Sequence, residues 1–315
     1  EKATFGISYD DVITFVGSCF ADNIGSKMIE CKYDTDVNPF GTLFNPSSVA
    51  AACRMLMRPR EFDVADLTFY DGLYHSFMHA GKFSDTSAEN CLTQINTART
   101  ASATHFKRAN RLIITFGTAF VYVLKDSGMT VANCHKLPAT YFARKMLSVK
   151  EIIDEWSRLI TDMKRFNPSI RIVLTVSPIR HFKDGAHLNQ VSKSTLMLAV
   201  HGLTKIFDTT VSYFPAYEIV IDELRDYRFY ASDMLHPSPV AIDYIWEKFC
   251  CAYMDEATNE LMREVSAINK SLNHRPIDPN SEAHLNFIRQ IMSKIESRKD
   301  LRRLFKKDGD NVKVY

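Results

Sequence analysis

Short apolar runs that alternate with helical patterns constrain the fold of this chain more than any other feature. The clearest runs lie at residues 12–16, 111–116 and 170–176, which are rich in β-branched and aromatic residues. Such runs are typical of buried strands. Because strands and helices alternate over about 240 residues, the pattern predicts a doubly wound, mostly parallel sheet between two helical layers. Ligands of such folds bind beyond the carboxyl ends of the strands.

The first apolar run ends at Gly17 and passes directly into Ser18. The residues that follow, Phe20, Ile24 and Met28, have helical spacing. Ser18 is therefore predicted to stand at the carboxyl edge of the sheet and at a helix N-terminus, where partial positive charge gathers. Two roles fit this position: serine caps helices very often, and a nucleophilic serine would also be well placed here.

A second polar cluster lies at residues 232–238, just before a helix that Ser238 and Pro239 are predicted to start. Asp233 and His236 lie three residues apart within it. A nucleophilic serine needs a base, and the base needs a carboxylate that fixes its tautomer. An isolated Asp-x-x-His pair is a weak indication, because histidines are more often structural. Together with Ser18, however, the pair predicts a Ser-His-Asp set.

The stretch Gly17-Ser18-Cys19-Phe20-Ala21 reproduces the motif of the GSCFA family, and the chain resembles that family over most of its length. Further stretches that resemble its pattern, in the same order, lie at residues 38–41, 116–119, 133–136, 177–178, 192–194 and 233–238. The family is similar to SGNH (GDSL-like) hydrolases. The resemblance implies a three-layer α/β/α, flavodoxin-like sandwich and ester hydrolysis, with Ser18 as nucleophile, His236 as general base and Asp233 as the orienting carboxylate.

The resemblance also implies an oxyanion hole with three donors: the nucleophile N–H, a glycine N–H after the second strand, and an asparagine side chain after the third. Ser18 and Gly41 correspond to the first two. The third position reads Gly117-Thr118-Ala119 and holds no asparagine. Losing one such donor commonly costs about 10²–10³ in turnover, so either another residue substitutes or the chain is a poor esterase on simple substrates. The candidate substitutes are Thr118, Asn38 and Asn133.

Other polar residues at the predicted carboxyl edge are expected to contact the substrate. Arg180 follows the third strong strand, and His135 lies in a polar loop at residues 133–138. Each either contacts an anionic group or a sugar hydroxyl, or is a cation on a surface loop. The predicted substrate-contacting residues are Asn38, Gly117, Asn133, His135 and Arg180.

Three other arrangements are weaker. His75 and His79 have the spacing of a zinc pair but lack the glutamate of His-Glu-x-x-His and an evident third ligand, so no metal and no cofactor are predicted. Cys19 would point about 100° away from Ser18 on a helix, and we expect it to pack as a small apolar residue. The neighbouring Ser192 and Lys193 do not face each other on a helix, so a bond to substrate or a cap is expected there.

Composition limits the partners and the environment. The 39 basic and 37 acidic residues leave a formal charge of +2, which gives no case for a nucleic-acid or membrane-surface partner. No run approaches the roughly 18 apolar residues of a membrane span. Seven cysteines without paired spacing predict free thiols and a cytoplasmic protein. The chain opens with Glu1 rather than methionine, so an upstream signal peptide that is left out is the alternative.

Two units are predicted: a hydrolase-like domain at residues 1–255 and a helical extension at 256–315, with single helices expected over 240–272 and 281–305. The expected function is a serine esterase that hydrolyses an O-acyl ester, above all an O-acetyl ester, of a carbohydrate or related small molecule. The alternatives are acyl transfer to a sugar hydroxyl and non-catalytic ligand binding on the same scaffold. A homodimer through the C-terminal helices is a further hypothesis.

Overall fold

A parallel sheet of five strands lies at the centre of the computed structural model, which describes residues 3–274, 278 and 280–306. The strands of the described residues are β1 (Val12–Gly17), β2 (Asp34–Val37), β3 (Thr68–Tyr70), β4 (Leu73–His75), β5 (Arg111–Phe116), β6 (Phe120–Leu124), β7 (Thr130–Val131), β8 (Phe142–Met146), β9 (Arg171–Val176) and β10 (Val211–Phe214). The central sheet has the order β10-β9-β5-β1-β2. Numbered along the chain, this is the 2-1-3-4-5 order of flavodoxin-like folds, and the predicted fold class is confirmed.

Helices cover both faces of this sheet. They are α1 (Cys19–Glu30), α2 (Pro46–Met57), α3 (Ala88–Phe106), α4 (Val149–Phe166), α5 (Gly185–Ile206), α6 (Ala216–Glu218), α7 (Pro239–Tyr253), α8 (Glu256–Leu272), α9 (Glu282–Ser297) and α10 (Lys299–Lys306). A π-helical turn follows α6 at Ile219–Glu223, and 3₁₀ turns lie at Val64–Asp66, Gly81–Phe83, Ala139–Tyr141, Phe182–Asp184 and Tyr227–Phe229. Among the helices that the structure describes, none has the length and apolar character needed to cross a bilayer.

Side chains of the central strands alternate between two hydrophobic cores, as the pleat of a strand requires. In β5, Leu112 and Ile114 face one core and Ile113 faces the other. The first core is closed by α2 to α5, and the second by α1, α7 and α8 to α10. Burial on both faces explains why these strands appear in the sequence as nearly continuous apolar runs.

Local capping residues set where the helices near the site begin. Ser18, Asn45 and Ser238 have extended backbones, and the side chain of each accepts a hydrogen bond from the first turn of the helix that follows. Pro46 and Pro239 occupy the first helical turn, where the missing N–H costs nothing. The sequence signals therefore predict these helix starts correctly.

The two long C-terminal helices expected from the sequence are each broken in two, so those predictions are wrong. Met254 is extended and Asp255 caps α8 by accepting from the Thr258 N–H. Arg298 is extended between α9 and α10. The apolar spacing continues through both breaks, whereas α8, α9 and α10 must turn to pack against one another.

The C-terminal helices pack on the sheet domain along the second core. Leu301 and Leu304 of α10 are buried there, and Asn269 of α8 donates to the Glu30 carbonyl at the end of α1. Arg303 forms an ion pair with Asp10 at 2.6 Å. Buried apolar residues of α8 and α10 are therefore used within the chain, whereas Leu285 and Phe287 of α9 are exposed. Of the predicted extension, residues 275–277, 279 and 307–315 lie outside the described residues.

Two small antiparallel sheets lie apart from the central one. β3 and β4 form a hairpin, and β7, β6 and β8 form a three-stranded sheet. β6 follows β5 after three residues, which is too short for the crossover that a parallel neighbour needs. The segment after β5 therefore leaves the central sheet at the carboxyl edge.

Candidate active site

The junction between β1 and α1 accepts only glycine at its last strand position. Gly17 has a φ of +152°, and a Cβ atom there would lie 2.3 Å from the Thr115 carbonyl oxygen in β5. Ser18 is fully buried and caps α1 by accepting from the Phe20 N–H at 3.4 Å. The hydroxyl acts here as an acceptor, so its own proton remains available for transfer. The cap and the nucleophile are thus compatible roles for Ser18.

Asn38 fixes this junction through two side-chain hydrogen bonds. It follows β2 in a left-handed conformation with φ of 46°, which asparagine tolerates better than most residues. Its Oδ1 accepts from the Gly17 N–H at 2.8 Å, and its Nδ2 donates to Asp22 in α1 at 2.7 Å. Burial raises the pKa of Asp22. Both polar atoms of Asn38 are engaged with the protein, so the structure gives it a positioning contact, and a contact with substrate stays a prediction.

Asp233 and His236 form a directly bonded pair in one turn. Their Oδ2 and Nδ1 atoms lie 2.5 Å apart, and the side chains are 45% and 46% exposed. The Asp233 Oδ1 also accepts from the backbone N–H groups of His236 and Leu235. These two N–H groups, followed by the His236 ring, lower the pKa of Asp233 to about 2. An ionised carboxylate thus holds the ring at Nδ1, which leaves Nε2 as the nitrogen that can take a proton.

This turn lies at the edge of the sheet that carries Ser18. The Arg180 N–H, in the segment after β9, donates to the Leu235 carbonyl at 3.3 Å. β9 pairs with β5 and β5 with β1, all parallel, so their carboxyl ends meet at one edge. Within the described part of the chain, no hydrogen bond joins Ser18 Oγ to His236. Catalytic hydrogen bonds are often long before substrate binds and tighten in the complex.

The loop after β5 is fixed by hydrogen bonds to Phe44 and to Ser192. The N–H groups of Gly117 and Thr118 donate to one acceptor, the Phe44 carbonyl, at 2.7 and 2.9 Å. The Thr118 hydroxyl lies 3.1 Å from the Ser192 hydroxyl, which also accepts from the Ala119 N–H. Ser192 thus supports this loop through the bonds of its own hydroxyl.

The predicted oxyanion donors are all engaged in bonds within the protein. The Ser18 N–H donates to the Thr115 carbonyl at 3.2 Å, and the Gly41 N–H donates to the Asn38 carbonyl at 2.7 Å. Thr118 donates its N–H to Phe44, as described above. Stabilisation of an oxyanion by these groups would require each to share or release its present acceptor, and their assignment stays a prediction.

His135 and Asn133 belong to a segment that packs against residues 75–79. The His135 Nε2 lies 2.8 Å from the Ser76 carbonyl oxygen, and its ring stacks on His75 at 4.5 Å. The Asn133 Oδ1 accepts from the His135 N–H. Burial lowers the pKa of His135, so this ring is neutral near pH 7. Among the described residues, no group of three or more His, Cys, Asp or Glu side chains is arranged to hold a metal ion.

Arg180 lines a cavity of about 240 Å³ next to the Asp233–His236 turn. Its guanidinium lies 4.0 Å from the centre of the Tyr230 ring. Tyr230 pairs with Pro237, the residue directly after His236, in an isolated antiparallel β-bridge. The cavity combines aromatic walls with the positive charges of Arg180 and Arg225 and the carboxyl group of Asp226. It offers a place beside the turn for a polar or anionic part of a ligand, and this contact stays a prediction.

Lys193 is a buried positioning residue that the sequence did not assign. It is 1% exposed, and its ammonium donates to the carbonyls of Gly117 and Ser177 at 2.7 and 2.6 Å. These carbonyls directly follow β5 and β9, so Lys193 links the carboxyl ends of these two neighbouring strands. Burial lowers the pKa of Lys193 to about 7. In the sequence, this role of Lys193 was indicated only by its place in Ser192-Lys193-Ser194, a stretch that resembles the family pattern.

A model of the GSCFA family matches residues 12–249. The chain belongs to the GSCFA family. A model for the C-terminal domain of GSCFA domain proteins matches residues 265–303, which include α9 and parts of α8 and α10. The family resemblance drawn from residues 17–21 is therefore confirmed. No curated protein matches this GSCFA chain.

Two solved structures are distantly similar to the GSCFA chain. One, from Streptococcus pneumonia, is provisionally described as a platelet activating factor; it is 11% identical with a TM-score of 0.37, and the match covers 76% of this chain and 83% of that one. The other is an acetyl xylan esterase from the rumen bacterium Butyrivibrio proteoclasticus, 12% identical with a TM-score of 0.38, covering 82% and 65%. Likenesses of this size carry no argument about function.

Proposed function

We propose that this GSCFA protein is a serine esterase that hydrolyses an O-acyl ester of a carbohydrate or related small molecule, with O-acetyl as the favoured acyl group. Ser18 is the nucleophile, His236 the general base and Asp233 the carboxylate that orients it. The observation that carries the proposal is the 2.5 Å contact between Asp233 and His236 at the sheet edge where Ser18 begins α1. A serine, an imidazole and an ionised carboxylate at one edge are the parts that nucleophilic acyl transfer needs.

The chemistry follows in two steps. His236 takes the proton of the Ser18 hydroxyl as Oγ bonds to the carbonyl carbon, and the alcohol leaves with that proton when the tetrahedral intermediate collapses. Water, deprotonated by His236, then attacks the acyl carbon, and the bond from this carbon to Ser18 Oγ breaks as His236 returns the proton to Oγ, which releases the acid and restores Ser18. Asp233 stays ionised throughout, and stabilises the imidazolium that forms in each step.

Covalent labelling tests this proposal directly. A fluorophosphonate probe reacts with a serine only when a base activates it, so we expect the wild-type protein to be labelled. The variants Ser18→Ala and His236→Ala should lose labelling and the hydrolysis of p-nitrophenyl acetate together. Wild-type labelling and hydrolysis in Ser18→Ala would remove Ser18 from the reaction.

A second candidate function is ligand binding without catalysis. It is favoured by the internal bonds of the Ser18, Gly41 and Thr118 N–H groups and by a Ser18 hydroxyl that already caps α1. The same labelling experiment separates the two functions, because a serine that only caps a helix does not react with the probe. Acyl transfer is tested by adding sugar acceptors and analysing the products for acylated sugar.

A further inference from the structure

The side chain of His181 carries a buried nitrogen that the mechanism above does not use. Its Nε2 is buried and, within the part of the chain that the structure describes, has no hydrogen-bond partner. The residue is fixed at two points. Its backbone N–H donates to the Asn189 Oδ1 at 2.9 Å, and its ring contacts the Phe44 ring edge-on, with the ring centres 5.8 Å apart. Burying a polar group without a partner is unfavourable, so a fixed ring whose Nε2 lacks a partner among the described residues suggests a ligand.

The free nitrogen lies beside the loop that follows β5. A Cβ atom at Gly117 would stand 3.2 Å from the His181 Nε2, so this nitrogen lies against the Gly117 backbone, and a side chain at this position would crowd it. The Gly117 N–H is bonded to the Phe44 carbonyl, and the preceding Leu43 N–H donates to the Gly17 carbonyl at 2.8 Å. A short series of backbone contacts therefore connects the His181 nitrogen with the residue directly before Ser18.

The base of the proposed reaction acts electrostatically on the same ring. Burial, followed by the charges of Lys193 and His236, lowers the pKa of His181 to about 4. His181 is therefore neutral at pH 7 and has one N–H to donate. A neutral ring with this low pKa does not compete with His236 for the Ser18 proton, and it can serve as a hydrogen-bond donor to a developing negative charge.

An oxyanion at Ser18 needs donors that are not already engaged. The N–H groups of Ser18, Gly41 and Thr118 have acceptors within the protein, and the Asn38 amide is bonded to Asp22. We propose that the Nε2–H of His181 donates a hydrogen bond to the ester carbonyl oxygen as it becomes an oxyanion, which makes His181 a catalytic residue. This assignment rests on the proposed function.

The electron balance is that of acyl transfer. As Ser18 Oγ bonds to the carbonyl carbon, the carbonyl π pair moves onto oxygen, where the His181 N–H stabilises it. When the carbonyl forms again, the bond to the leaving oxygen breaks and the alcohol takes its proton from His236. His181 keeps its own proton throughout.

Three substitutions at His181 separate a donor from a packing role. His181→Gln carries an N–H at about the reach of Nε2, His181→Asn is one bond shorter, and His181→Leu fills similar space without a donor. With p-nitrophenyl acetate, we expect the Leu and Asn variants to lose about 10²–10³ in kcat, with a change in KM of less than about threefold. The Gln variant should recover at least a tenth of the wild-type kcat. The exposed His201 of α5 provides the control, His201→Ala, which should be unchanged.

The outcomes distinguish the two levels of the proposal. Equal kcat for the Gln and Asn variants, or wild-type kcat in either Asn or Leu, overturns the assignment of His181. If the Leu variant does not fold, the comparison of Gln with Asn decides, because both keep a polar side chain. Failure of Ser18 to react with a fluorophosphonate in the wild-type protein instead overturns the proposed function. Labelling of Ser18 with full kcat in every His181 variant leaves the esterase and removes only His181.

Discussion

The side-chain amide of Asn38 donates a 2.7 Å hydrogen bond to the carboxylate of Asp22, sixteen residues earlier in the chain. Asn38 accepts at the same time from the Gly17 N–H. One buried side chain therefore joins the end of β2 to the end of β1 and the first turn of α1, and so fixes the position in which Ser18 is presented.

Replacing Asn38 with aspartate should destabilise the protein strongly. The Asn38→Asp variant loses the donated N–H and sets a second carboxylate against Asp22 in a buried site. We expect a loss of about 3 kcal/mol in the free energy of unfolding, measured with urea. The double variant Asn38→Asp/Asp22→Asn restores one donor and one carboxylate, and should recover more than half of the loss. A double variant as unstable as the single one would contradict the pairing.

Replacing Asp233 with asparagine should lower turnover without affecting the fold. Asp233→Asn cannot hold His236 in the tautomer that leaves Nε2 free, so we expect kcat for p-nitrophenyl acetate to fall about 10³-fold or more. Because the pKa of Asp233 is lowered to about 2, its carboxylate stays ionised in the wild-type protein throughout an assay from pH 4 to pH 9. Asp162→Asn on the exposed side of α4 is the matched control. Unchanged kcat in Asp233→Asn would argue against the triad.

Lys193 should make stability depend on pH in the alkaline range. Its pKa is about 7 in the folded protein and about 10.4 in an unfolded chain. Between these values the unfolded state binds more protons, so the contribution of Lys193 to stability rises from pH 7 to pH 10 and is constant below pH 7. We expect wild-type stability to rise over this range relative to Lys193→Met, by a few kcal/mol. Parallel curves for the two proteins would show that Lys193 is not buried as described.

Gly41 and Gly72 offer a matched pair for testing how tightly the site is packed. Both have φ of +76°, but a Cβ atom at Gly41 would lie 2.3 Å from the Ala80 Cβ, whereas at Gly72 it would meet nothing within 4 Å. Gly72→Ala should cost about 1 kcal/mol through backbone strain alone. Gly41→Ala adds the clash and should cost about 2 kcal/mol more. Equal losses in thermal or urea unfolding would mean that segment 76–80 does not pack on Gly41.

Features encoded by neighbouring residues could be predicted from the sequence. The apolar runs predicted β1, β5 and β9, and the capping residues predicted the starts of α1 and α7. The bonded pair of Asp233 and His236 could be expected because only three residues separate them.

Features that depend on distant residues could not be predicted. A lysine in a helix is ordinarily exposed, and the burial of Lys193 depends on carbonyls 16 and 76 residues away. The surroundings of the His181 Nε2 include Gly117, which lies in the loop after a different strand, β5. The break at Asp255 depends on α8 packing back on the second core.

The candidate nucleophile and base each lie at the start of a helix in the layer that the C-terminal helices cover. Ser18 caps α1, and α7 begins three residues after His236. The segments at residues 68–83 and 130–146 instead pack on the first core or on a small separate core. Substitutions in those segments therefore leave untouched the packing that sets the spacing of Ser18 and His236, so the two parts of the molecule can change independently of each other.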